Sequence, residues 1–241
     1  MGCFLATGIW HIFTPPFLLR RLLKQIYFIG VKTVSVVGLT GLFTGMVSTL
    51  QVYYVLVTFG AESQLGAIIA LSLIRELGPV IAALMVIGRG GSALTAELGI
   101  MRITEQIDAL DSMALNPFKY LVTPNFLAAV ISLPILNALF ITVGIWGGYI
   151  IGVELTGLSE GIYFNAIAEA LSPKDLFLSL YKSLSFGVII ALVSCYKGFY
   201  AGYESSFGAE GVSKATTEAV VLSSVLVLIC DYFITSIMIF A

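Results

Sequence analysis

Long apolar segments without charged side chains limit what this chain can fold into. Residues 34–59 contain no charge at all, and several other stretches are almost as apolar. A helix of about 20 apolar residues crosses the hydrocarbon core of a bilayer. Only 11% of the 241 residues are charged, whereas soluble domains carry about 25%. The sequence therefore predicts an all-α integral membrane protein and excludes a soluble globular domain.

The apolar runs and their breaks predict five membrane helices in a single domain covering 1–241. We expect these helices at 34–59, 64–99, 126–151, 176–196 and 217–240. Before them, residues 4–29 place apolar side chains at helical spacing with the basic residues offset. This pattern predicts an interfacial helix on an anionic leaflet. The alternative is a plain leader to the first membrane helix.

The basic residues predict the orientation of the chain. If the N-terminus lies in the cytoplasm, every lysine and arginine outside the membrane helices is also cytoplasmic, except Lys174. Cytoplasmic segments of membrane proteins are enriched in these residues. We therefore expect a cytoplasmic N-terminus and an external C-terminus. The start of the chain lacks the features of a cleaved signal peptide, so the first membrane helix is expected to direct insertion.

Four charged residues lie well within the predicted membrane helices, away from the helix ends and at similar depth: Arg75, Glu76, Lys182 and Asp231. Two interpretations remain open. The charges either pair to hold helices together, or they line a cavity that takes a charged head group. Opposite charges on two neighbouring antiparallel helices predict an ion pair between Lys182 and Asp231.

The segment around Arg75 and Glu76 has two further properties. Pro79 has no N–H, so it is expected to kink the helix and free a backbone carbonyl near these charges. Successive residues on a helix point about 100° apart. We therefore expect Arg75 and Glu76 to face different neighbours.

Between the second and third membrane helices, residues 104–115 have the pattern of a short surface helix ended by Asn116-Pro117. Its apolar face is formed by Ile103, Ile107, Leu110 and Ala114, and its charged face by Glu105, Asp108 and Asp111. A docking surface for a protein partner and an ordinary solvated loop helix both fit this pattern.

Several kinds of chemistry are excluded or unsupported. The run Gly88-Arg89-Gly90-Gly91 lacks the Lys-Ser/Thr ending and the preceding strand of a phosphate-binding loop. His11 is the only histidine, and the three cysteines are scattered. These residues form neither a metal site nor a Ser/His/Asp set. We expect no catalytic activity, no metal, no cofactor in this chain and no nucleic-acid partner.

Five motifs carry a resemblance to a known family. They are RELGPV at 75–80, GRGGSALTAELG at 88–99, MRITEQIDALDSM at 101–113, NP at 116–117 and GVSKATT at 211–217. The chain resembles the permease subunit of bacterial MCE-type lipid transporters, the MlaE family, which has a chloroplast relative. Such a resemblance implies an N-terminal elbow helix and five membrane helices, and a coupling helix between the second and third.

The resemblance also implies function and partners. Two copies of the permease would pair in the bacterial inner membrane, with ATPase subunits in the cytoplasm and MCE-domain proteins in the periplasm. ATP would be bound by the ATPase, and phospholipid would move between inner and outer membranes, which maintains outer-membrane lipid asymmetry. Arg75, Glu76, Lys182 and Asp231 would bind the substrate. The coupling residues would be Arg102, Glu105, Gln106, Asp108 and Asp111.

The alternative function is a secondary transporter of an amphiphile driven by an ion gradient. Glu76 or Asp231 could then carry a proton across part of the membrane. However, the sequence has no apparent inverted repeat, and five helices cannot be divided evenly between two such repeats. Dependence of transport on ATP or on a proton gradient distinguishes the two.

Overall fold

The computed structural model describes residues 19–201 and 208–240, and all regular structure within these ranges is helical. The α-helices are α1 Leu19–Ile29, α2 Val34–Phe59, α3 Leu65–Ser72, α4 Gly78–Val86, α5 Ser92–Ile103, α6 Gln106–Ser112, α7 Thr123–Tyr149, α8 Glu160–Ala170, α9 Pro173–Phe199 and α10 Ala209–Phe240. The prediction of an all-α protein is confirmed. The predicted interfacial helix began at residue 4. Its first part, with His11, lies outside the described residues, and α1 corresponds to the remainder.

Four π-helical turns interrupt or extend these helices, at Leu73–Leu77, Ile87–Gly91, Phe118–Val122 and Ile150–Leu155. The first two join α3, α4 and α5 into one helical run. Within residues 19–201 and 208–240, five runs are long and apolar enough to cross a membrane: Leu19–Phe59, Glu62–Ile103, Phe118–Leu155, Pro173–Phe199 and Ala209–Met238. The prediction of five membrane-crossing helices is confirmed.

The chain forms two compact units. Unit 1 comprises Met1–Thr33, Ala83–Leu133 and Leu184–Ala241, and unit 2 comprises Val34–Ala82 and Pro134–Ser183. The single permease domain of 1–241 stays a prediction.

In unit 2, glycines allow α2 to pack directly against α7. A Cβ atom at Gly41 would lie 2.9 Å from the carbonyl oxygen of Phe140, and one at Gly45 would overlap the backbone of Gly144. Small residues are the usual means by which membrane helices approach closely. The spacing of Gly38, Gly41 and Gly45 in the sequence is typical of such a close approach, but spacing alone does not identify the partner helix.

The short helix α8 packs against α3 in the same unit. Tyr163 anchors it, because its ring is fully buried and its hydroxyl donates a hydrogen bond to the carbonyl of Ile145 at 3.1 Å. Burial raises the pKa of Tyr163 to about 12, since the phenolate would lose its hydration.

In unit 1, the glycine-rich segment brings α5 close to the C-terminal half of α9. A Cβ atom at Gly91 would lie 3.0 Å from the Ser194 hydroxyl oxygen. The Thr95 hydroxyl, which bonds the Gly91 carbonyl at 2.9 Å, also lies 3.2 Å from the carbonyl of Ser194. α10 packs along α5 in the same unit. The segment that superficially resembled a phosphate loop therefore packs helices together.

Two arginines of unit 1 hold α1 in place. Arg21 lies with its guanidinium carbon 3.2 Å from the centre of the Tyr120 ring and donates to the Tyr120 carbonyl. Arg89 donates to the carbonyl of Phe28 and to the hydroxyl of Thr33. A cation at the last turn of a helix satisfies free carbonyls and complements the helix dipole. α1 is thus fastened near both ends.

Candidate functional site

A cluster of two ion pairs lies inside the membrane-length helices of unit 2. Arg75 Nε is 2.7 Å from Asp175 Oδ1, and Lys182 Nζ is 2.7 Å from Glu76 Oε2. Two adjacent residues of the Leu73–Leu77 turn therefore bind two residues of α9 that are two turns apart. The cluster has no net charge, which lowers the cost of keeping it within an apolar helix bundle.

The Lys182 ammonium has a second acceptor that the sequence explains. Pro79 has no N–H to donate to the carbonyl of Arg75, four residues earlier. That carbonyl instead accepts a hydrogen bond from Lys182 Nζ at 2.9 Å. The sequence predicted that Pro79 would free a backbone carbonyl near the charges. That carbonyl belongs to Arg75, and the fully buried Lys182 is its hydrogen-bond donor.

Asp175 belongs to this cluster, although the sequence analysis did not include it. Its Oδ2 atom accepts a hydrogen bond from the backbone N–H of Ser172 at 3.0 Å. Ser172 precedes Pro173, the first residue of α9, so this is the arrangement of a helix capping box. One oxygen of Asp175 thus fixes the start of α9 and the other binds Arg75. The signal was the sequence Ser-Pro-Lys-Asp, which predicts a helix start.

A neutral hydrogen bond extends the cluster to α7. Asn137 Nδ2 donates to the hydroxyl of Ser179 at 2.9 Å, and both residues are buried. Ser179 lies on the same face of α9 as Asp175 and Lys182 because the spacing is four and three residues. Gly78 permits this contact, since a Cβ atom there would lie 2.9 Å from Asn137 Oδ1.

The four charged side chains differ in exposure. Lys182 and Asp175 are buried, whereas Arg75 is 49% and Glu76 is 43% exposed. The accessible part of the cluster therefore presents one guanidinium and one carboxylate side by side. A guanidinium binds phosphate oxygens well, and a carboxylate accepts hydrogen bonds from an ammonium.

The structure thus brings together three of the four residues predicted for substrate binding: Arg75, Glu76 and Lys182. Asp231 lies half-buried on α10 in unit 1, and its pairing with Lys182 stays a prediction. Arg75 and Glu76 were expected to face different neighbours, but both bind α9. The physical reason is that their partners, Asp175 and Lys182, lie two turns apart on α9, so two long side chains that point in different directions reach the same helix.

The segment predicted to couple to an ATPase forms α6, which borders a groove of about 610 Å³ in unit 1. Arg102, Asp108 and Asp111 line the groove. Ile107, Ala114, Leu115, Asn116, Pro117, Phe118 and Phe199 complete it. Glu105 and Gln106 are exposed but are not among the lining residues. Arg102 Nη1 is 2.8 Å from Asp108 Oδ1, so the basic end of α5 and the acidic face of α6 are joined.

The helix α6 is shorter than the predicted 104–115 because the backbone is left-handed on both sides of it. Glu105 has φ 58° and Ala114 has φ 57°. After α6, Leu115 N–H bonds the Leu110 carbonyl at 3.0 Å and Ala114 N–H bonds the Asp111 carbonyl at 2.9 Å. These two bonds form a Schellman motif with Ala114 at the position that glycine usually occupies. Neither end was evident from the apolar spacing.

The described residues hold no group of three or more His, Cys, Asp or Glu side chains that could bind a metal ion. A family model described as "Permease MlaE" matches residues 22–237. The chain belongs to the MlaE permease family. The match includes the Arg75–Glu76 segment, the helix α6 and α10 up to its last turn.

Individual relatives of the MlaE family agree over most of the chain. A protein of Rickettsia bellii named "Probable ABC transporter permease protein" is 43% identical over 96% of this chain and 88% of its own length. The Haemophilus influenzae "Intermembrane phospholipid transport system permease protein MlaE" is 43% identical over 90% of this chain and 82% of its own. The Arabidopsis thaliana chloroplast protein TRIGALACTOSYLDIACYLGLYCEROL 1 is 37% identical over 90% of this chain and 61% of its own length.

Proposed function

We propose that this chain is the permease subunit of an ATP-driven transporter that moves phospholipids between the inner and outer membranes. Such transport would maintain the lipid asymmetry of the outer membrane. Membership of the MlaE family and the printed names of the Haemophilus and Rickettsia relatives support the proposal. The structural observation that carries it is the half-exposed pair Arg75 and Glu76 within a helical run long and apolar enough to cross a membrane.

The exposed pair suits a lipid head group better than a purely structural role. A membrane-embedded charge that only joins helices is best enclosed by them, as Lys182 is. Arg75 and Glu76 instead keep nearly half of their surface open. In the proposed function, Arg75 binds the phosphate, and Glu76 faces the rest of the head group. Lys182 and Asp175 hold these two side chains in position, and Asp231 is a further contact predicted from its depth.

The partners follow from the same proposal. Two copies of the chain would pair, and the second copy or the lipid would cover the open side of the Arg75–Glu76 pair. ATP would be bound by a separate ABC ATPase subunit, which would dock on Arg102, Glu105, Gln106, Asp108 and Asp111. An MCE-domain protein would bind on the periplasmic side. The chain itself would hold no cofactor and catalyse no reaction.

We further propose that the N-terminus is cytoplasmic, the C-terminus periplasmic and the membrane the bacterial inner membrane. The distribution of lysine and arginine supports this orientation. A cysteine introduced at Glu160 should then react with a membrane-impermeant thiol reagent applied to the periplasmic side, and one at Ser112 should not. The opposite labelling would contradict the orientation. Ser112 and Glu160 are both exposed, so accessibility within the fold does not decide the result.

Transport in proteoliposomes tests the lipid-transport proposal. The permease is reconstituted with its ATPase and MCE-domain partner, and transfer of a fluorescent phospholipid is measured with and without ATP. Arg75→Gln and Glu76→Gln should each reduce transfer at least tenfold, while Glu160→Gln, an exposed carboxylate on α8, should leave it unchanged. Transfer that proceeds without ATP and follows a proton gradient would favour the secondary-transporter alternative. Normal transfer by both cluster variants would refute the head-group role.

A further inference from the structure

A second polar cavity lies in unit 1, among residues that the proposed transport function does not use. It has a volume of about 150 Å³ and lies among α1, α5 and the start of the 118–149 helical run. Drug-sized ligands occupy pockets of about 300–1,000 Å³. The space is therefore suited to a small polar group. The lining residues are Arg21, Lys24, Gln25, Glu97, Leu98, Met101, Tyr120, Leu121, Pro124 and Asn125.

Two amide oxygens of this cavity lack hydrogen-bond partners among the residues that the structure describes. Asn125 is 3% exposed, and its Oδ1 atom accepts no hydrogen bond from these residues; Gln25 Oε1 is also enclosed and without a donor among them. Buried polar atoms in proteins are nearly always satisfied, by the protein itself, by water or by a ligand. The Glu97 carboxylate is a third acceptor in the lining. The cavity thus contains three acceptors that could be served by one donor group.

The same cavity carries positive charge. Lys24 is exposed on α1, and Arg21 uses one N–H for the Tyr120 carbonyl, which leaves its other donors available. A guanidinium and an ammonium together form a good site for a phosphate group. The cavity therefore combines a place for an anion with a place for a group that donates several hydrogen bonds.

The apolar surroundings indicate where such a ligand comes from. Leu19 and Leu23 lie on the same helix as Arg21 and are 65% and 66% exposed. α1 is amphipathic and precedes a membrane-length helix, as interfacial helices do. Acyl chains beside these leucines would place a head group at the level of the cavity.

We propose that this cavity binds the head group of one phosphatidylethanolamine-type lipid. The phosphate would contact Arg21 and Lys24. The primary ammonium has three N–H donors, and these match the Glu97 carboxylate and the amide oxygens of Gln25 and Asn125. A choline head group has no N–H and a glycerol head group has no positive charge, so the site discriminates against both. The bound lipid would join α1 to α5 and α7.

Native mass spectrometry of the full-length chain in detergent tests this proposal without an ATPase or transport. The protein is titrated with phosphatidylethanolamine, phosphatidylcholine and phosphatidylglycerol of identical acyl chains. The ethanolamine lipid should bind about tenfold more tightly than the other two. Glu97→Gln should remove this preference and lose one tightly bound lipid per chain. Glu210→Gln, an exposed carboxylate in the first turn of α10, is the matched control.

Three further variants separate the two parts of the site. Asn125→Leu fills the amide position with an apolar group of similar size and should also abolish the ethanolamine preference. Lys24→Gln should weaken all three lipids several-fold, whereas Arg20→Gln, the same charge change on α1 outside the cavity, should not. Equal affinity for the three lipids, or an unchanged preference in Glu97→Gln, would overturn the proposal. Binding of soluble O-phosphoethanolamine as tight as that of the lipid would overturn the assignment to a membrane lipid.

Discussion

Replacing Lys182 by methionine tests the ion-pair cluster of unit 2. Methionine keeps an unbranched side chain of similar length but has no ammonium. Glu76 Oε2 and the Arg75 carbonyl each lose a donor, at 2.7 Å and 2.9 Å respectively. Pro79 cannot replace the lost donor to the Arg75 carbonyl, because proline has no backbone N–H. The substitution therefore leaves one charge and one neutral acceptor without this partner.

The size of the effect follows from burial. Removing one partner of a fully buried ion pair costs about 3–5 kcal/mol. Glu76 is 43% exposed, so its carboxylate regains part of its hydration when Lys182 is replaced. The cost should therefore lie at the lower end of this range, about 3 kcal/mol. A buried carbonyl left without a donor costs about 1–3 kcal/mol. We expect Lys182→Met to lower the free energy of unfolding by about 3 kcal/mol. In the double variant with Glu76→Met, only the carbonyl remains affected, and about 1 kcal/mol should be lost relative to the native protein.

The measurement is a double-mutant cycle on unfolding in mixed detergent micelles. Adding Glu76→Met to Lys182→Met should recover about 2 kcal/mol, since the charge penalty is removed in the double variant. The coupling energy of the cycle should exceed this value, because Glu76→Met alone leaves the buried Lys182 ammonium without the Glu76 carboxylate. Lys174→Met, an exposed lysine in the first turn of α9, should change stability by less than about 0.5 kcal/mol. The pairing argument is refuted by a loss under about 1 kcal/mol for Lys182→Met or by a coupling near zero. A second cycle with Asp231→Asn tests the pair predicted from depth.

Three further outcomes are expected. The double variant Asp108→Lys/Asp111→Lys should reduce the amount of ATPase that co-purifies with the permease at least tenfold. The control Glu160→Lys should leave this amount unchanged. Unchanged co-purification with the double variant would contradict docking at α6. Ala114→Gly should raise the free energy of unfolding by about 1 kcal/mol, because glycine removes the steric cost of the left-handed backbone; a destabilised variant would show that the alanine methyl group is needed. Tyr163→Phe should cost about 1 kcal/mol near neutral pH through its lost hydrogen bond. Because the pKa of Tyr163 is raised from 10.0 to about 12 in the folded state, native stability should decline as pH rises through this window, and the phenylalanine variant should lack that part of the decline.

The sequence predicted those features that follow from composition and local chemistry. The lack of charges in 34–59 was sufficient to predict a membrane helix, because the bilayer tolerates few alternatives. The carbonyl freed by Pro79 was also predictable, since it depends only on the missing N–H four residues later. The acidic face of 104–115 identified the surface segment that contains α6.

Other features depend on tertiary structure and were not predictable from spacing. The contact of Lys182 with Glu76 depends on which helix lies beside α9, and depth along the helices did not predict it. Arg75 and Glu76 bind the same helix although they point in different directions, because Asp175 and Lys182 lie two turns apart on α9, and this spacing is known only once the helices are packed. The hydrogen bond of Asp175 to Ser172 is local and follows from the helix start, but its ion pair with Arg75 depends on which helices pack together.

The π-helical turns also bear on how the chain can vary in length. Each such turn accommodates one residue more than an α-turn while the helix continues in the same direction. In a regular membrane helix, deleting one residue rotates every later side chain by about 100° and destroys its packing. A deletion within Ile87–Gly91 would instead convert the turn to α-helix, and Thr95 would keep its direction toward Ser194. These turns are therefore the places within the membrane helices where evolution can remove a residue without changing the faces that follow.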